Sequence, residues 1–463
     1  MTADQGAEAG AGAVEGRPAQ PVQSAEADRL GDILRSPGYL KTLVICGLVG
    51  IPVSLAAFWF LAGMHWLEHA LWDDLPRSLG WDTAPWWWPL VLLPLAGVLV
   101  ALVALRLPGG GGHIPAAGMG GGATLPIALP GVLLAAAASL PLGATLGPEA
   151  PLIALGGGLA LMFRDLTRSP APKRTAVLLG AAGAGAAVSA IFGSPLIGAV
   201  LLIEMAGIGG PQLFAVMLPA LLSSGIGALV FTGFGHWTGL QTPGLAMKVT
   251  EPFQRLDALD VLWALPISVA VAFALHAVIG GARQVAVFVS TRTVERSLLC
   301  ALGAGVCAAL YTLLTDRSPV DVASSGQTLM SGLVTDPRAW GIGALVGVLV
   351  FKGLAYGLCL GTLRGGPIFP ALFLGAAAGL LCAPLPGLGI VPGLAVGLGA
   401  AAAGVLRLPV SSVVLVVLLL GSTAAAPLVI LSAVVAFVTT ELLPAHGPVP
   451  APKRRVRGAV TRP

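Results

Sequence analysis

The sequence predicts an all-α integral membrane protein made of two repeated halves with broken helices, and three observations lead to this fold class. Of 463 residues, 56% are hydrophobic and only 10% are charged, a balance that cannot cover the surface of a soluble globule of this size. A motif near position 150 returns near position 370. Charge-free stretches long enough for at least one crossing extend over 107–148, 175–203, 205–247, 365–406 and 408–440.

Composition divides the chain into a tail, two membrane halves and a second tail. Residues 1–27 are rich in Ala, Gly, Glu and Gln and predict a disordered tail. A short amphipathic segment at about 25–34 leads into the first membrane half. That half is assigned to residues 28–250 and the second half to 251–443, while residues 444–463 form a basic tail.

Apolar runs and helix-breaking residues predict the individual helices. Two helices are expected at about 39–67 and 86–106. Between 108 and 151 the chain is broken repeatedly by Pro and by Gly clusters, which indicates short and discontinuous helices. Further helices are predicted at about 175–191, 195–206, 212–234, 257–290, 297–314, 339–361, 369–383, 391–406, 410–421 and 425–442.

Charge at the ends of the apolar runs predicts the topology. Cationic residues beside membrane spans are typical of the cytoplasmic face, and they cluster between Arg164 and Arg174 and between Lys453 and Arg457. Both termini are therefore expected in the cytoplasm of a multi-pass protein of the cell membrane. The acidic, Trp-rich loop that begins near Glu68 is expected at the opposite face. The basic tail is thus interpreted as a topology signal and not as a nucleic-acid site.

An internal repeat is the strongest pattern in the sequence. GPEAPLIALG at 147–156 returns as GPIFPALFLG at 366–375. Downstream, Ser-Pro at 194–195 followed by LIGAVLLI corresponds to Leu-Pro at 408–409 followed by VSSVVLVV. Two segments agree in the same order and at similar spacing, which indicates an internal duplication. Duplicated halves with broken helices in corresponding positions point to a binding site near the middle of the bilayer.

Each copy of the motif has the composition of a helix start. Pro151 and Pro370 suit the first turn, and the preceding glycines allow close approach to a ligand. The first N–H groups of a helix have no partner within the helix and carry partial positive charge, so a buried helix start attracts an anion. Two such starts could converge on one anion without any lysine or arginine in the pore.

Three short motifs resemble those of the CLC chloride channels and chloride/proton antiporters. The family has three anion-site motifs, and this sequence has similar ones in the same order: Gly-Gly-His-Ile-Pro at 111–115, Gly-Pro-Glu-Ala-Pro at 147–151 and Gly-Pro-Ile-Phe-Pro at 366–370. The resemblance as a whole covers residues 25–443. The resemblance implies a CLC-type fold of two inverted-topology repeats and a homodimer with one anion path in each subunit. The anion-binding residues that it implies are Gly112, His113, Ile114, Gly147, Ala150, Ile368 and Phe369.

The sequence also departs from the family pattern. Gly112 stands where the family has an anion-contacting serine, and Pro148 replaces the basic residue before the family's gating glutamate. Pro367 removes a backbone N–H and leaves Ile368 and Phe369 as donors. The family's late tyrosine has no counterpart, because the tyrosines here are Tyr39, Tyr311 and Tyr356.

Glu149 is the predicted gate. The resemblance implies that this carboxylate occupies an anion position when ionised and leaves it when protonated, and a carboxylate at a helix start would compete with chloride for the same N–H groups. The alternative is an acid that only compensates the dipole at an exposed helix end. Glu204 is either a proton relay or a helix-end acid, and His113 is either a structural residue or a donor to the anion.

The predicted function is transmembrane transport of small inorganic anions, with chloride as the expected substrate. This transport is predicted to be gated by Glu149 and coupled to proton counter-transport. A passive chloride channel or uncoupled leak remains the alternative, followed by an unrelated inverted-repeat secondary transporter. The sequence has no enzyme motif and no metal-ligand spacing. Besides the lipid bilayer, the expected partners are the anion, protons and, as the resemblance implies, a second subunit, with no cofactor, metal or nucleic acid.

Overall fold

A computed structural model describes residue 31 and residues 34–119, 124–166, 173–206, 211–240 and 256–449. The regular secondary structure of these residues is helical, apart from one isolated β-bridge. The first half contains α1 (Pro37–His69), α2 (Leu75–Ser78), α3 (Pro89–Arg106), α4 (Leu129–Ala137), α5 (Glu149–Leu166), α6 (Lys173–Phe192), α7 (Pro195–Ala206) and α8 (Pro211–Thr238).

The described residues of the second half form eight further helices. These are α9 (Ala258–Thr291), α10 (Thr293–Thr315), α11 (Gln327–Thr335), α12 (Ile342–Thr362), α13 (Ile368–Cys382), α14 (Ile390–Leu406), α15 (Pro409–Leu420) and α16 (Ala426–Leu442). Within the described residues, seven helical segments are long and apolar enough to cross a membrane, namely Pro37–Ser78, Pro89–Arg106, Val216–Thr238, Ala258–Thr291, Thr293–Thr315, Ile342–Thr362 and Thr423–Leu442. The chain is therefore a multi-pass membrane protein.

The interrupted region after α3 contains short pieces of helix, as the Pro and Gly clusters predict. Three 3₁₀ turns begin at Pro108, Pro115 and Pro126, and α4 follows with nine residues. Each turn begins at a proline, which fixes φ and lacks the N–H that a helix start leaves unused. Backbone of this kind is tolerated within a membrane protein only where it is covered by protein or lines a cavity.

The first long helix extends further than its hydropathy predicts. The sequence predicts an end near residue 67 and a loop, but α1 continues through a π-helical turn at Ala70–Asp74 into α2, which ends at Ser78. Glu68 is therefore a helical residue and not a loop residue. The predicted tail at 1–27, most of the amphipathic segment at 25–34 and residues 450–463 lie outside the described residues.

The same close helix crossing occurs once in each half. The last glycine of each motif copy, Gly156 on α5 and Gly375 on α13, packs against the backbone of a glycine on the next helix. That partner is Gly183 on α6 in the first half and Gly397 on α14 in the second half. A Cβ at any of these positions would collide with a carbonyl oxygen, so glycine permits the same close crossing in both halves.

Candidate anion site

The two motif copies meet at an antiparallel bridge between Gly147 and Gly366. The Gly147 N–H donates to the Gly366 carbonyl at 2.8 Å, and the Gly366 N–H donates back to the Gly147 carbonyl at 2.5 Å. The reciprocal pair gives the junction the local symmetry of a two-fold axis. From this bridge the chain enters α5 at Glu149 and α13 at Ile368, so the two helix starts lie side by side.

The Glu149 side chain crosses from its own half to the helix start of the other half. Its Oε1 accepts a hydrogen bond from the Phe369 backbone N–H at 2.9 Å, and the residue is completely buried. Oε2 packs against both bridging glycines, where a Cβ at Gly147 or Gly366 would collide with it. Oε2 has no hydrogen-bond partner among the described residues. The carboxylate thus occupies the position that the dipole of α13 makes favourable for an anion.

A cavity of about 250 Å³ begins directly beside this junction. Its walls include the predicted residues Gly112, His113 and Ala150, together with Gly365. Ala150 follows Glu149 in the chain and Gly365 precedes Gly366, so the cavity reaches the bridge from one side. Ile114 packs against the hydrophobic core. Ile368 and Phe369 are buried on α13, where the Phe369 ring stacks on Phe192 with centroids 5.6 Å apart.

A second, smaller cavity of about 50 Å³ lies on another side of the same junction, next to Pro148. Pro148, the residue before Glu149, contributes to its wall, and His65, Glu68 and Gln327 supply polar groups. None of these four residues belongs to the wall of the larger cavity. Glu149 therefore stands between two separate cavities, with Pro148 facing one and Ala150 facing the other.

The course of α3 places the two cavities near its opposite ends. The Trp88 indole N–H donates to the Leu71 carbonyl at 3.1 Å, which joins the beginning of α3 to the far end of α1. His65 and Glu68 of the smaller cavity also lie at that end of α1. The 18 residues of α3 extend about 27 Å, close to the thickness of the hydrocarbon core. Gly111 to His113 of the larger cavity follow the other end of α3.

Arg364 is a residue of the larger cavity that the motif pattern does not include. It lines the larger cavity and is only 8% exposed. The signal available in the sequence is its position, because Arg364 is the single charge between Lys352 and Arg407 and directly precedes the second motif copy. The motif pattern does not contain this position, so the comparison with the family did not draw attention to it.

Tyr356 is a second residue that the sequence comparison overlooked. It is completely buried on α12, and its hydroxyl donates to the Pro367 carbonyl at 2.7 Å. The family pattern has its tyrosine late in the chain, whereas Tyr356 precedes the second motif copy by ten residues. The Tyr356 side chain therefore contacts the backbone of the second motif copy.

Glu204 lies at a helix start of the opposite half. Its Oε1 accepts from the Val410 N–H at 3.0 Å, and its Oε2 accepts from the Ser411 N–H at 2.7 Å and the Ser411 hydroxyl at 2.6 Å. These donors belong to the first turn of α15, so the carboxylate has the geometry of a helix cap supplied from another helix. Glu204 belongs to neither of the two cavity walls.

Comparison with known proteins agrees with this architecture. The family described as "Voltage gated chloride channel" matches residues 113–441. The "Putative ion-transport protein YfeO" of Salmonella schwarzengrund (strain CVM19633) is 25% identical over 345 residues, which cover 71% of this chain and 77% of the relative. The protein of the same name from Salmonella newport (strain SL254) has the same identity and coverage.

Solved structures show the same fold. A slow cyanobacterial Cl⁻/H⁺ antiporter superposes with a TM-score of 0.72 at 18% identity, covering 86% of this chain and 94% of the other. A CLC-type fluoride/proton antiporter gives 0.65 at 19% identity, with coverage of 86% and 96%. A eukaryotic CLC transporter gives 0.64 at 17% identity, with coverage of 88% and 72%.

Proposed function

The chain belongs to the voltage-gated chloride channel family, and we propose that it exchanges small inorganic anions, chloride first, for protons across a membrane with Glu149 as the gate. Membership of this family makes the chain a transporter or channel and not an enzyme. It also removes the alternative of an unrelated inverted-repeat secondary transporter. The observation that carries the proposal is the Glu149 carboxylate, bound to the start of α13 between two cavities.

The gate works by competition for one set of donors. Ionised Glu149 satisfies the Phe369 N–H and fills the space beside the bridging glycines. An anion can take that place only when the carboxylate withdraws, because two negative charges cannot share one helix start. Protonation removes the charge that holds Glu149 there and frees the N–H group for the anion.

Proton coupling follows from the same carboxylate. Oε2 is buried without a hydrogen-bond partner among the described residues and can receive a proton while Oε1 remains bound. Pro148 lines the smaller cavity, and the imidazole of His65 and the carboxyl group of Glu68 lie in the same wall. Each passage of an anion would thus require Glu149 to gain or lose a proton. The two structural neighbours described as chloride/proton and fluoride/proton antiporters support this reading.

A passive anion channel or leak is the second candidate, and Glu204 favours it. Exchange requires protons to reach Glu149 from both faces, and a relay from the cytoplasm is one of the two roles that the sequence leaves open for Glu204. All three donors around its carboxylate belong to α15, and the residue lies outside the wall of the larger cavity. A carboxylate bound in this way is a cap, so proton delivery on that side would depend on water in the larger cavity.

Flux measured in vesicles separates the two functions. The purified protein is reconstituted in liposomes with an outward chloride gradient, and chloride and proton movements are recorded together. Exchange predicts that the chloride gradient drives protons uphill. Chloride flux without proton movement would replace exchange by a channel or leak, and absence of any halide flux would refute anion transport. Parallel runs with fluoride test which halide the protein prefers.

A further inference from the structure

We infer that Arg364 forms an anion-binding position of its own in the larger cavity, one step before the position that Glu149 occupies. The ligand is a small monovalent inorganic anion, held by the Arg364 guanidinium. This inference rests on the proposed function, because it adds a positively charged anion-binding position to the same path. Its evidence is separate from the helix starts, since it depends on a side chain and not on the motif backbone.

The guanidinium is buried without a counter-charge. Arg364 is 8% exposed, and no carboxylate among the described residues forms an ion pair with it, Glu149 included. A buried charge without a partner is strongly unfavourable, so such groups are normally paired or bind a ligand. A cation that is retained within a few residues of an anion path therefore requires an anion to compensate it.

The hydrogen bonds of Arg364 leave part of its guanidinium without an acceptor among the described residues. Nη1 donates to the carbonyls of Thr362 and Leu363 at 3.4 and 3.1 Å, and Nη2 donates to the Gly110 carbonyl at 3.5 Å. These contacts are long and involve neutral acceptors. Nε has no hydrogen-bond partner among the described residues and is shielded from solvent. The fork is thus held in place by its outer nitrogens, and Nε is left without a protein acceptor on a side chain that lines the cavity.

The glycine cluster at 109–112 forms the wall around this group. All four glycines have positive φ, between 61° and 94°, which other residues rarely adopt. A Cβ at Gly111 would lie 3.8 Å from Nε and 3.1 Å from the Ala135 Cβ. The glycines therefore let the backbone curve closely around the guanidinium. His113 extends the same wall, so the cavity combines one fixed cation with an imidazole.

The position of Arg364 relative to the gate explains how it would act. Arg364 is two residues from the bridging Gly366, and Gly365 and Ala150 are both in the cavity wall. An anion that enters from this face would meet the guanidinium first. It would then pass to the Phe369 N–H when Glu149 withdraws. Fixed positive charge in a narrow, partly enclosed cavity concentrates anions at its mouth.

Anion binding to the detergent-purified full chain tests the inference. Calorimetric titration with sodium chloride compares the wild type with Arg364→Gln and Arg364→Lys. Loss of a charged hydrogen bond predicts chloride binding weaker by roughly tenfold to hundredfold in Arg364→Gln, with most of the affinity restored in Arg364→Lys. Arg407→Gln is the matched control, because Arg407 pairs with Glu441 at 3.6 Å outside the cavity. Its chloride affinity should equal that of the wild type.

A folded Arg364→Gln with unchanged chloride affinity would overturn the inference. If that variant does not fold, wild-type crystals soaked in bromide decide the question. Anomalous density beside the Arg364 guanidinium supports the site, whereas bromide density confined to the helix starts refutes it. Vesicle flux keeps the two proposals apart. Flux in the wild type with unchanged binding in Arg364→Gln refutes this site alone, and binding at Arg364 without any flux refutes the proposed transport.

Discussion

Glu149 shows how much a single residue depends on its position at a junction. The same carboxylate on an exposed helix end would only offset the dipole by a few tenths of a kcal/mol, or about 1 kcal/mol at most. Here it is completely buried, and its donor comes from the other half of the chain. Its environment therefore supplies both a reason to be ionised, the Phe369 N–H, and a reason to be neutral, the loss of water.

Replacing Glu149 with glutamine should open the path permanently. Glutamine mimics the protonated acid and cannot lose a proton, so anion flux should persist while proton movement stops. Wild-type flux should rise as pH falls, because protonation releases the Phe369 N–H, and flux through Glu149→Gln should stay constant from neutral to mildly acidic pH. Parallel chloride and proton measurements in liposomes provide the test. Glu295→Gln, on the exposed beginning of α10, is the control, and retained pH dependence in Glu149→Gln would contradict the gate.

At the scale of the element, the start of α15 depends on a cap from α7. An α-helix leaves its first N–H groups unpaired, and here Glu204 satisfies those of Val410 and Ser411. The sequence predicts both helices at nearly their observed limits. It left open whether Glu204 is a proton relay or a helix-end acid, and the observed contacts are those of a cap.

Glu204→Gln should therefore lower stability and leave transport unchanged. Loss of a charged cap predicts a decrease of about 1 kcal/mol in the free energy of unfolding, seen as a lower melting temperature in detergent. Glu441→Gln is the matched control, because its exposed pair with Arg407 at 3.6 Å is expected to contribute little. A Glu204→Gln protein with normal stability and reduced proton flux would instead assign the relay to Glu204.

The paired glycine crossings make a second prediction about elements. A Cβ at Gly156 or Gly375 would collide with the backbone of the neighbouring helix. Gly156→Ala and Gly375→Ala should each therefore cost about 1–3 kcal/mol of stability through overpacking. Gly343→Ala on α12 is the control, since nothing lies within 4 Å of its added Cβ, and it should be neutral or stabilising. Equal melting temperatures for all three variants would show that the crossings tolerate more space than the packing indicates.

At the scale of the whole molecule, the two halves support each other through the connection between α10 and α11. Ser324 in this connection donates its N–H to the Gly143 carbonyl at 2.9 Å, and the Thr145 hydroxyl donates to the Val322 carbonyl at 3.1 Å. Lys352, completely buried on α12, donates to the carbonyls of Asp321, Val322 and Ser324 at 3.1, 3.3 and 3.2 Å. The second half thus fixes the segment that leads into the gate motif.

Lys352→Met should destabilise the protein and impair the gate together. Three buried carbonyls would lose their charged donor, which predicts a loss of about 3 kcal/mol in the free energy of unfolding. Because the connection also holds Gly143 and Thr145, halide flux per folded protein should fall as well. Thermal unfolding and liposome flux measure the two effects. Lys41→Met, at an exposed position on α1, should change neither, and a stable, fully active Lys352→Met would contradict this role.

The sequence predicts the helices and the helix start at Glu149 better than the side-chain contacts around them. Apolar runs in a membrane must satisfy their own backbone hydrogen bonds, so hydropathy places helices such as 195–206 correctly. Repeated Gly and Pro residues likewise indicate that Glu149 begins a helix. The surroundings of Arg364 include the Gly110 carbonyl, 254 residues away in the chain. Contacts at such separation follow no periodicity and depend on how the halves close.

The extension of α1 was missed for a related reason. Polar residues after position 67 indicate a loop when hydropathy alone is considered. The helix continues to Ser78 because polar side chains on a helix do not interrupt its backbone hydrogen bonding, and a π turn at Ala70–Asp74 joins α1 to α2. Hydropathy thus indicates where the apolar run of the sequence ends, and the helix can end at a different residue.

The hydrogen bond from Tyr356 to the Pro367 carbonyl masks a group that would otherwise repel an anion. Every peptide group at a helix start offers an N–H, but it also carries a carbonyl whose lone pairs repel negative charge. Pro367 has no N–H to offer, so its carbonyl alone would act on the path. Tyr356 holds that oxygen at 2.7 Å and neutralises part of its charge. A permeable route for negative ions is therefore defined by occupied acceptors as well as by available donors.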